Sequence, residues 1–470
     1  MTPEAKEQHP GRPRVAIAGA SGFVGRALID ALKDTHDVTA LTRAPPTSST
    51  DARVSWCSAD LFNLADAERA LAGANVAVYL VHSMMPSARL TQGRFEDLDA
   101  VCADNFGRAA ARQGVGHIVY LGGLLPAEAE RSRHLESRFE VEHLLASHGV
   151  PVTTLRAGLV VGAGGSSFNI LRRLVGRLPF MIGPRWTRSL TQPVALSDVV
   201  ELLRAAITRP ELAGHAYDVG GPDVLTYAQL LVATGHALGR KTRVLPVPVE
   251  TMRLSLLWVS VITGAAQALV RPLVESLRHD MVARDGLTFQ KRVGVTPRSL
   301  RVALADALRD ERAAHVQSSS SIRRRPPTTV RSVQRLTVNG NRDAKWVAQE
   351  YVRWLPHLLA PLLKVETNQN GVSRFFLWPV RRPLLELTFS DARSTPDRQL
   401  FFVTGGLLAQ TKDSRARLEF RQLGNSNTIL AAIHDFTPRL PWFIYTSTQA
   451  LAHLAIMRRF QKHLEQEGRG

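Results

Sequence analysis

Residues Val15–Leu28 read V-A-I-A-G-A-S-G-F-V-G-R-A-L, and this stretch constrains the fold most tightly. A short β-branched run meets Gly19, Gly22 and Gly25, and an apolar helical pattern follows at once. Gly19 lets the strand turn sharply, Gly22 lets main chain approach a diphosphate, and Gly25 lets the helix pack close to the strand. Amides at the helix start then face phosphate oxygens, where the helix dipole also favours negative charge. A glycine-rich turn between any buried strand and helix would share these glycines. The strand before, the helix after and the place near the start of the chain favour a nucleotide. Gly19, Ala20, Ser21, Gly22, Phe23, Val24 and Gly25 thus form a candidate dinucleotide-binding loop.

Beyond the loop, strand patterns at Asp37–Thr42, Val54–Ser58, Val76–Val81, His117–Leu121 and Pro151–Leu155 alternate with helical ones. The helical patterns include Leu64–Leu71, Phe95–Gln113 and Arg138–Ser147. Near-continuous apolar strands separated by helices predict an α/β fold with a doubly wound parallel sheet. At 470 residues a second domain is expected. Residues 1–12 read as a polar tail, 13–314 as the first domain with a helix-rich, substrate-covering part from about 225, and 315–329 as a Ser/Arg/Pro linker. The remainder, 330–470, predicts a smaller α+β domain ending in a helix over Thr446–Glu465. Leu451, Leu454, Met457, Phe460 and Leu464 form its apolar stripe.

The formal charge of +18 invites a nucleic-acid partner, but 51 of the 59 basic residues are Arg and they are scattered through every segment. Without a cluster or a reader motif, no nucleic-acid partner is expected. Attraction to anionic membrane surfaces stays open as a peripheral contact. Two cysteines, Cys57 and Cys102, exclude a disulfide framework and fit a reducing, cytoplasmic setting. Leu254–Val270 carries no charge, which is short for a membrane span and suits a buried or substrate-covering helix better. No metal-ligand spacing stands out.

The first 310 or so residues resemble the short-chain dehydrogenase/reductase superfamily, in its atypical, NmrA-like branch. The loop G-A-S-G-F-V-G carries the resemblance, with Ser58–Leu61, Tyr79–Met84, Ile118–Leu124 and Tyr217–Pro222. It implies a Rossmann fold, with Asp60 and Leu61 beside adenine and Val81, His82 and Ser83 along the ribose and nicotinamide. The end of the second strand, Leu41-Thr42-Arg43, lacks the carboxylate that reads an unphosphorylated ribose. Arg43, helped by Arg26, suits a 2′-phosphate, so NADP(H) is favoured and NAD(H) is the alternative.

The catalytic positions depart from the family pattern. Where that superfamily has Tyr-x-x-x-Lys, this chain reads His134-Leu-Glu-Ser-Arg138, and its Ser position falls on Gly122 or Gly123. A histidine with its ordinary pKa of about 6.5 exchanges protons near neutrality, whereas an arginine only holds hydroxyls. The carboxyl-terminal domain resembles, on Ala416–Arg421, Phe436–Tyr445, His453 and Met457, the START-like helix-grip (SRPBCC-type) domains. That implies an apolar cavity, for whose lining Trp346, Trp354, Trp378 and Trp442 are candidates. Two functions follow as expectations. One is an NADP(H)-dependent oxidoreductase acting on a small hydrophobic carbonyl, enone or quinone-like substrate. The other is a non-catalytic NADP(H) sensor or scaffold that binds a hydrophobic ligand.

Overall fold

Val15, Ala16, Ile17 and Ala18 are all buried in strand β1 (Arg14–Ala18), so neither face of that strand meets water. Such a strand belongs inside a sheet covered on both sides. β1 is the pivot of seven strands with the order β7-β6-β5-β4-β1-β2-β3, every pair parallel. The others are β2 (Asp37–Thr42), β3 (Val54–Ser58), β4 (Val76–Tyr79), β5 (His117–Gly123), β6 (Val152–Ala157) and β7 (Ala216–Val219). The order reverses between β1 and β4, where two successive crossovers leave in opposite directions and open a crevice at the strand ends. The doubly wound sheet predicted from the strand–helix alternation is present, followed by a separate mixed sheet.

A computed structural model describes residues 11–46, 51–82, 88–127, 131–247, 264, 274–317, 328–340, 342–358, 360–410 and 415–467. Ser83, most of the expected linker and, but for Gly264, the uncharged run Leu254–Val270 lie outside the described residues. Among the described residues, no helix is long and apolar enough to cross a membrane.

Helix α1 (Phe23–Leu32) buries Leu28 and Leu32 in one cluster with Val15 and Ile17, joined by Val199, Leu202 and Leu203 of a helix over Leu196–Thr208. On another side of β4, Tyr79 meets Phe106 at 5.0 Å and Tyr120 at 6.0 Å between ring centroids. Burying the apolar surface of a Leu or Phe contributes about 1.5–3 kcal/mol each, so both faces hold the sheet. Helix α2 spans Arg133–Ala146 and starts five residues earlier than its sequence pattern predicts. The cause is Ser132, whose hydroxyl accepts from the Leu135 amide at 3.3 Å and caps the helix.

By contact, the chain divides into two units: residues 1–84 with 101–322, and residues 85–100 with 323–470. Residues 85–100, counted with the first domain in the sequence reading, thus group with the second. That second unit is an eight-stranded sheet, antiparallel except at one edge. There Leu90–Gln92 pairs in parallel with Val330–Ser332 of the strand Val330–Thr337. A helix over Ala344–Leu358 and a last helix over Gln449–Glu467 cover one face. Met457, Phe460 and Leu464 are buried there as the stripe predicts, but Leu451 is 57% exposed and Ala450 takes the buried position. Leu451 lies one residue, or about 100°, off the seam.

The other face of this sheet carries buried charges. Along Arg417–Gln422, Leu418 and Phe420 enter the apolar core while Arg417, Glu419 and Arg421 point the other way, each no more than 4% exposed. Arg398 donates to Glu419 through Nε at 2.9 Å and Nη2 at 3.1 Å, and Arg421 donates to the same carboxylate. Arg417 and Arg331 share Asp435 at 2.8 and 3.3 Å. Arg335 reaches Asp97 at 2.6 Å. Burial alone would raise Glu419, but Arg398 and Arg421 outweigh it and hold the carboxyl well below its usual range.

Candidate active site

At the end of β1 the chain turns through Gly19, whose φ is +87° and whose missing Cβ would lie 2.9 Å from the Leu80 carbonyl oxygen. Only glycine meets both demands. The Gly22 amide closes the turn on the Gly19 carbonyl at 2.9 Å. A Cβ at Gly25 would sit 2.4 Å from that same carbonyl oxygen and 2.8 Å from the Ala20 Cα, so the helix lies directly on the loop. Gly22 caps α1 with no side-chain hydrogen bond and no acidic residue stands in the first turn. The local field at this helix start therefore suits an anion.

Opposite this loop lie the ends of β4, β5 and β6. Together they bound a cleft of about 320 Å³ lined by Gly19, Gly22, Phe23, Val24, Gly25, Val81, His82, His134 and Arg138 among others. The structure thus brings the glycine loop, the β4 end and the α2 pair into one crevice. His134 and Arg138 are four residues apart, one above the other on α2. Gly122 and Gly123, at the position where a serine was sought, line the cleft beside them.

Other expected residues stand apart from that lining. Ala20 is fully buried behind the loop, and Ser21 is exposed with its hydroxyl 3.1 Å from that of Thr42. Arg43 is exposed at the end of β2, and so is Arg26 on α1. Asp60 accepts from the Phe62 amide at 3.2 Å, while the Leu61 carbonyl accepts from Asn105 at 2.8 Å. The sequence reading missed Gly165, Ser166 and Ser167, which wall the cleft from the start of a helix over Ser166–Arg177. Their signal was the run Gly162-Ala-Gly-Gly-Ser-Ser, a second glycine-rich approach to a helix. A Cβ at Gly165 would sit 3.1 Å from the Phe23 ring, a tight contact.

A second cavity, of about 170 Å³, shares Gly123, His134, Ala157, Gly158 and Ser167 with the cleft. The rest of its wall is mainly apolar, including Leu135, Leu171, Leu174, Trp186, Leu231 and Met281. Tyr227 and Ser276 supply polar tips, and Ser276 also bonds Ser132 at 2.9 Å. Burial pushes the Tyr227 hydroxyl up to about 12, so it is a protonated donor at neutral pH. His134 stands where the two cavities meet. Burial, then the charge of Arg138 and His82, pushes its imidazole down to about 3. The expectation of an ordinary pKa therefore fails: His134 is uncharged at neutrality, with one N–H to donate and one lone pair to accept.

In the second unit a cavity of about 590 Å³ lies between the helix Ala344–Leu358 and the sheet, with Lys345, Gln349, Ser373, Phe389, Gln399 and Phe401 in its wall. None of the four candidate tryptophans lines it. Trp354 packs on Phe460 at 5.1 Å, Trp442 and Trp346 each sit under an arginine, and Trp378 is 73% exposed.

Residues 19–163 match a family model described as NAD(P)H-binding. Auxiliary protein GraX of Staphylococcus aureus is 30% identical over 146 residues, 30% of this chain and 43% of the relative. A (4-alkanoyl-5-oxo-2,5-dihydrofuran-3-yl)methyl phosphate reductase of Streptomyces griseus is 27% identical over 252 residues, 52% of this chain and 80% of the relative. The chain therefore spans less than half the length of the first of these relatives. An NADPH-dependent quinone oxidoreductase of Escherichia coli, solved with NADPH, aligns with a TM-score of 0.51 at 20% identity, over 65% of this chain and all of that one. That likeness establishes the fold. The glycine loop at the switch point, the open helix start and the matched family model agree: the amino-terminal part of this chain is an NAD(P)-binding Rossmann-type domain.

Proposed function

We propose that this protein is an NADPH-dependent reductase of a small hydrophobic carbonyl, enone or quinone-like compound. One observation carries the reading: the cofactor cleft and an apolar pocket meet at His134. Gly19 to Gly25 would hold the diphosphate, Asp60 and Leu61 the adenine, and Val81, His82 and Ser83 the ribose and nicotinamide. The fit rests on a cradle that a Cβ would fill at Gly19 and at Gly25. Arg43 would take the 2′-phosphate, which favours NADP(H) over NAD(H). A bound NADPH supplies a hydride.

His134, kept neutral, donates a hydrogen bond from its N–H to the substrate oxygen as negative charge develops there, and the proton that the product oxygen takes comes from solvent. Arg138, one turn on, stays charged and holds ribose hydroxyls. The apolar wall excludes water and strengthens both contacts. The named activities of the Streptomyces and Escherichia relatives support a reductase. In the second unit, the antiparallel sheet with a long last helix supports a START-like, helix-grip reading.

A second reading is a non-catalytic NADP(H) sensor. It is favoured by the loss of the Tyr, Lys and Ser set and by the name of the Staphylococcus relative, an auxiliary protein. The deciding experiment is NADPH oxidation against a panel of quinones and enones. The reductase reading expects stoichiometric turnover that His134→Ala lowers by about a hundredfold, the usual range for a lost hydrogen-bond donor to a developing oxyanion, with NADPH binding retained. Tight NADPH binding without turnover of any compound favours the sensor instead. Failure to bind either dinucleotide removes both readings.

A further inference from the structure

We propose that a two-stranded ribbon on the amino-terminal unit is a docking surface for an anionic lipid bilayer. The ribbon pairs Phe180–Gly183 with Arg243–Pro246 in parallel, Phe180 opposite Arg243 and Ile182 opposite Leu245. Paired residues of a parallel ladder share a face. The inner face carries Met181, which is 2% exposed and packs with Leu171, Leu174 and Tyr227. The outer face presents Phe180 at 61%, Ile182 at 63% and Leu245 at 58% exposure. Three large apolar side chains standing side by side in water are a mark of an interaction site.

Charge selects the occupant. Arg188, Arg240, Lys241 and Arg243 are exposed on the segments that enter or leave the ribbon. There is no Asp or Glu from His143 through Ser197, nor from Val224 through Val249. Two carboxylates that reach these segments from elsewhere among the described residues are already engaged. Asp280 accepts from the Leu190 amide at 2.7 Å, and Glu311 pairs with Arg172 at 3.1 Å. A second copy docked face to face would set cation against cation, and a polynucleotide would leave the apolar tips in water. An anionic bilayer satisfies both halves of the surface at once, with headgroups for the cations and acyl chains for the tips.

The ribbon adjoins the apolar pocket, because its inner-face Met181 shares a core cluster with Leu171, Leu174 and Tyr227 of the pocket wall. Leu174 and Trp186, which flank the strand Phe180–Gly183 in sequence, both line that pocket. A protein seated here would draw its apolar substrate from the bilayer. This purpose rests on the reductase reading; the lipid contact itself does not.

The test is co-sedimentation of the full chain with vesicles of phosphatidylcholine alone and of phosphatidylcholine mixed with phosphatidylserine, at low and high salt. Pelleting is expected only with the mixed vesicles and is lost as salt screens the cations. Lys241→Glu and Arg243→Glu should each weaken partitioning by about fivefold or more, and Phe180→Glu with Ile182→Glu by roughly tenfold. NADPH titration should be unchanged in every variant, which checks folding and separates this result from the cofactor reading. The proposal is overturned by the absence of binding to mixed vesicles, or by variants that bind like the parent. A concentration-dependent dimer abolished by the apolar substitutions, or release of vesicles by a polynucleotide competitor, would overturn it equally.

Discussion

The two sheets of this protein handle buried polarity in opposite ways. In the seven-stranded parallel sheet, function sits where side chains are missing. Gly19, Gly22 and Gly25 strip the β1 end to main chain, and the helix start is left without a side-chain cap. In the eight-stranded sheet the polarity is all side chain, and it is consumed internally. Arg398 and Arg421 close on Glu419, while Arg331 and Arg417 close on Asp435. The comparison teaches that a buried polar group signals a ligand only when its partners have not already been supplied by the fold. The first sheet offers open donors at a crevice; the second offers a closed ionic ladder.

Three experiments sharpen or break that contrast. The largest effect is expected from Glu419→Gln, which leaves two guanidinium groups buried without their counter-charge and should cost about 3–5 kcal/mol. Denaturant unfolding of the full chain, with hydrogen exchange along Arg417–Gln422, reads it; a change within error would mean that the ladder is solvated. Acid should act in the same direction. Because the folded carboxyl lies below its unfolded value of about 4.3, its contribution is present above that pH and is lost as pH falls below it.

Next comes Gly25→Val, whose Cβ meets the Gly19 carbonyl oxygen at 2.4 Å. Displacing the loop should weaken NADPH by roughly a hundredfold, or about 2.7 kcal/mol, in a fluorescence titration. Unchanged affinity would show that the loop holds no phosphate. The smallest effect is expected from Arg43→Glu. It should cost NADPH about tenfold in affinity and NADH little, since only one of them carries the 2′-phosphate. Equal losses would take Arg43 out of the site.

The legibility of the sequence followed the same divide. The glycine loop reads directly because its physical demands are local: a turn, a close approach and a helix start within seven residues. The parallel, doubly wound character of the sheet reads from the alternation of apolar strands with helices. His134 and Arg138 read only through the family resemblance, and the pattern starts their helix too late because Ser132, the cap, precedes a polar first turn. What did not read was what crossovers assemble. Trp186, Tyr227 and Met281 meet in one pocket from segments far apart in the chain. The strand Arg-Leu-Glu-Phe-Arg at 417–421 alternates like a half-solvated strand, yet its charged face is buried and salt-bridged, which no periodicity reports. The pKa of His134 was missed for the same reason, since it is set by burial and by Arg138 and His82 together.

The edge strand Leu90–Gln92 bears on any attempt to dissect the molecule. It is donated from early in the chain, and it pairs with the Val330–Ser332 segment of the sheet that is otherwise built from residues after 330. A fragment cut at the Ser/Arg/Pro stretch would therefore carry a bare ladder of amides and carbonyls along Val330–Ser332. Unsatisfied edges of that kind recruit neighbouring chains. Such a fragment should be prone to self-association, and grafting residues 88–100 back onto it should restore a soluble species.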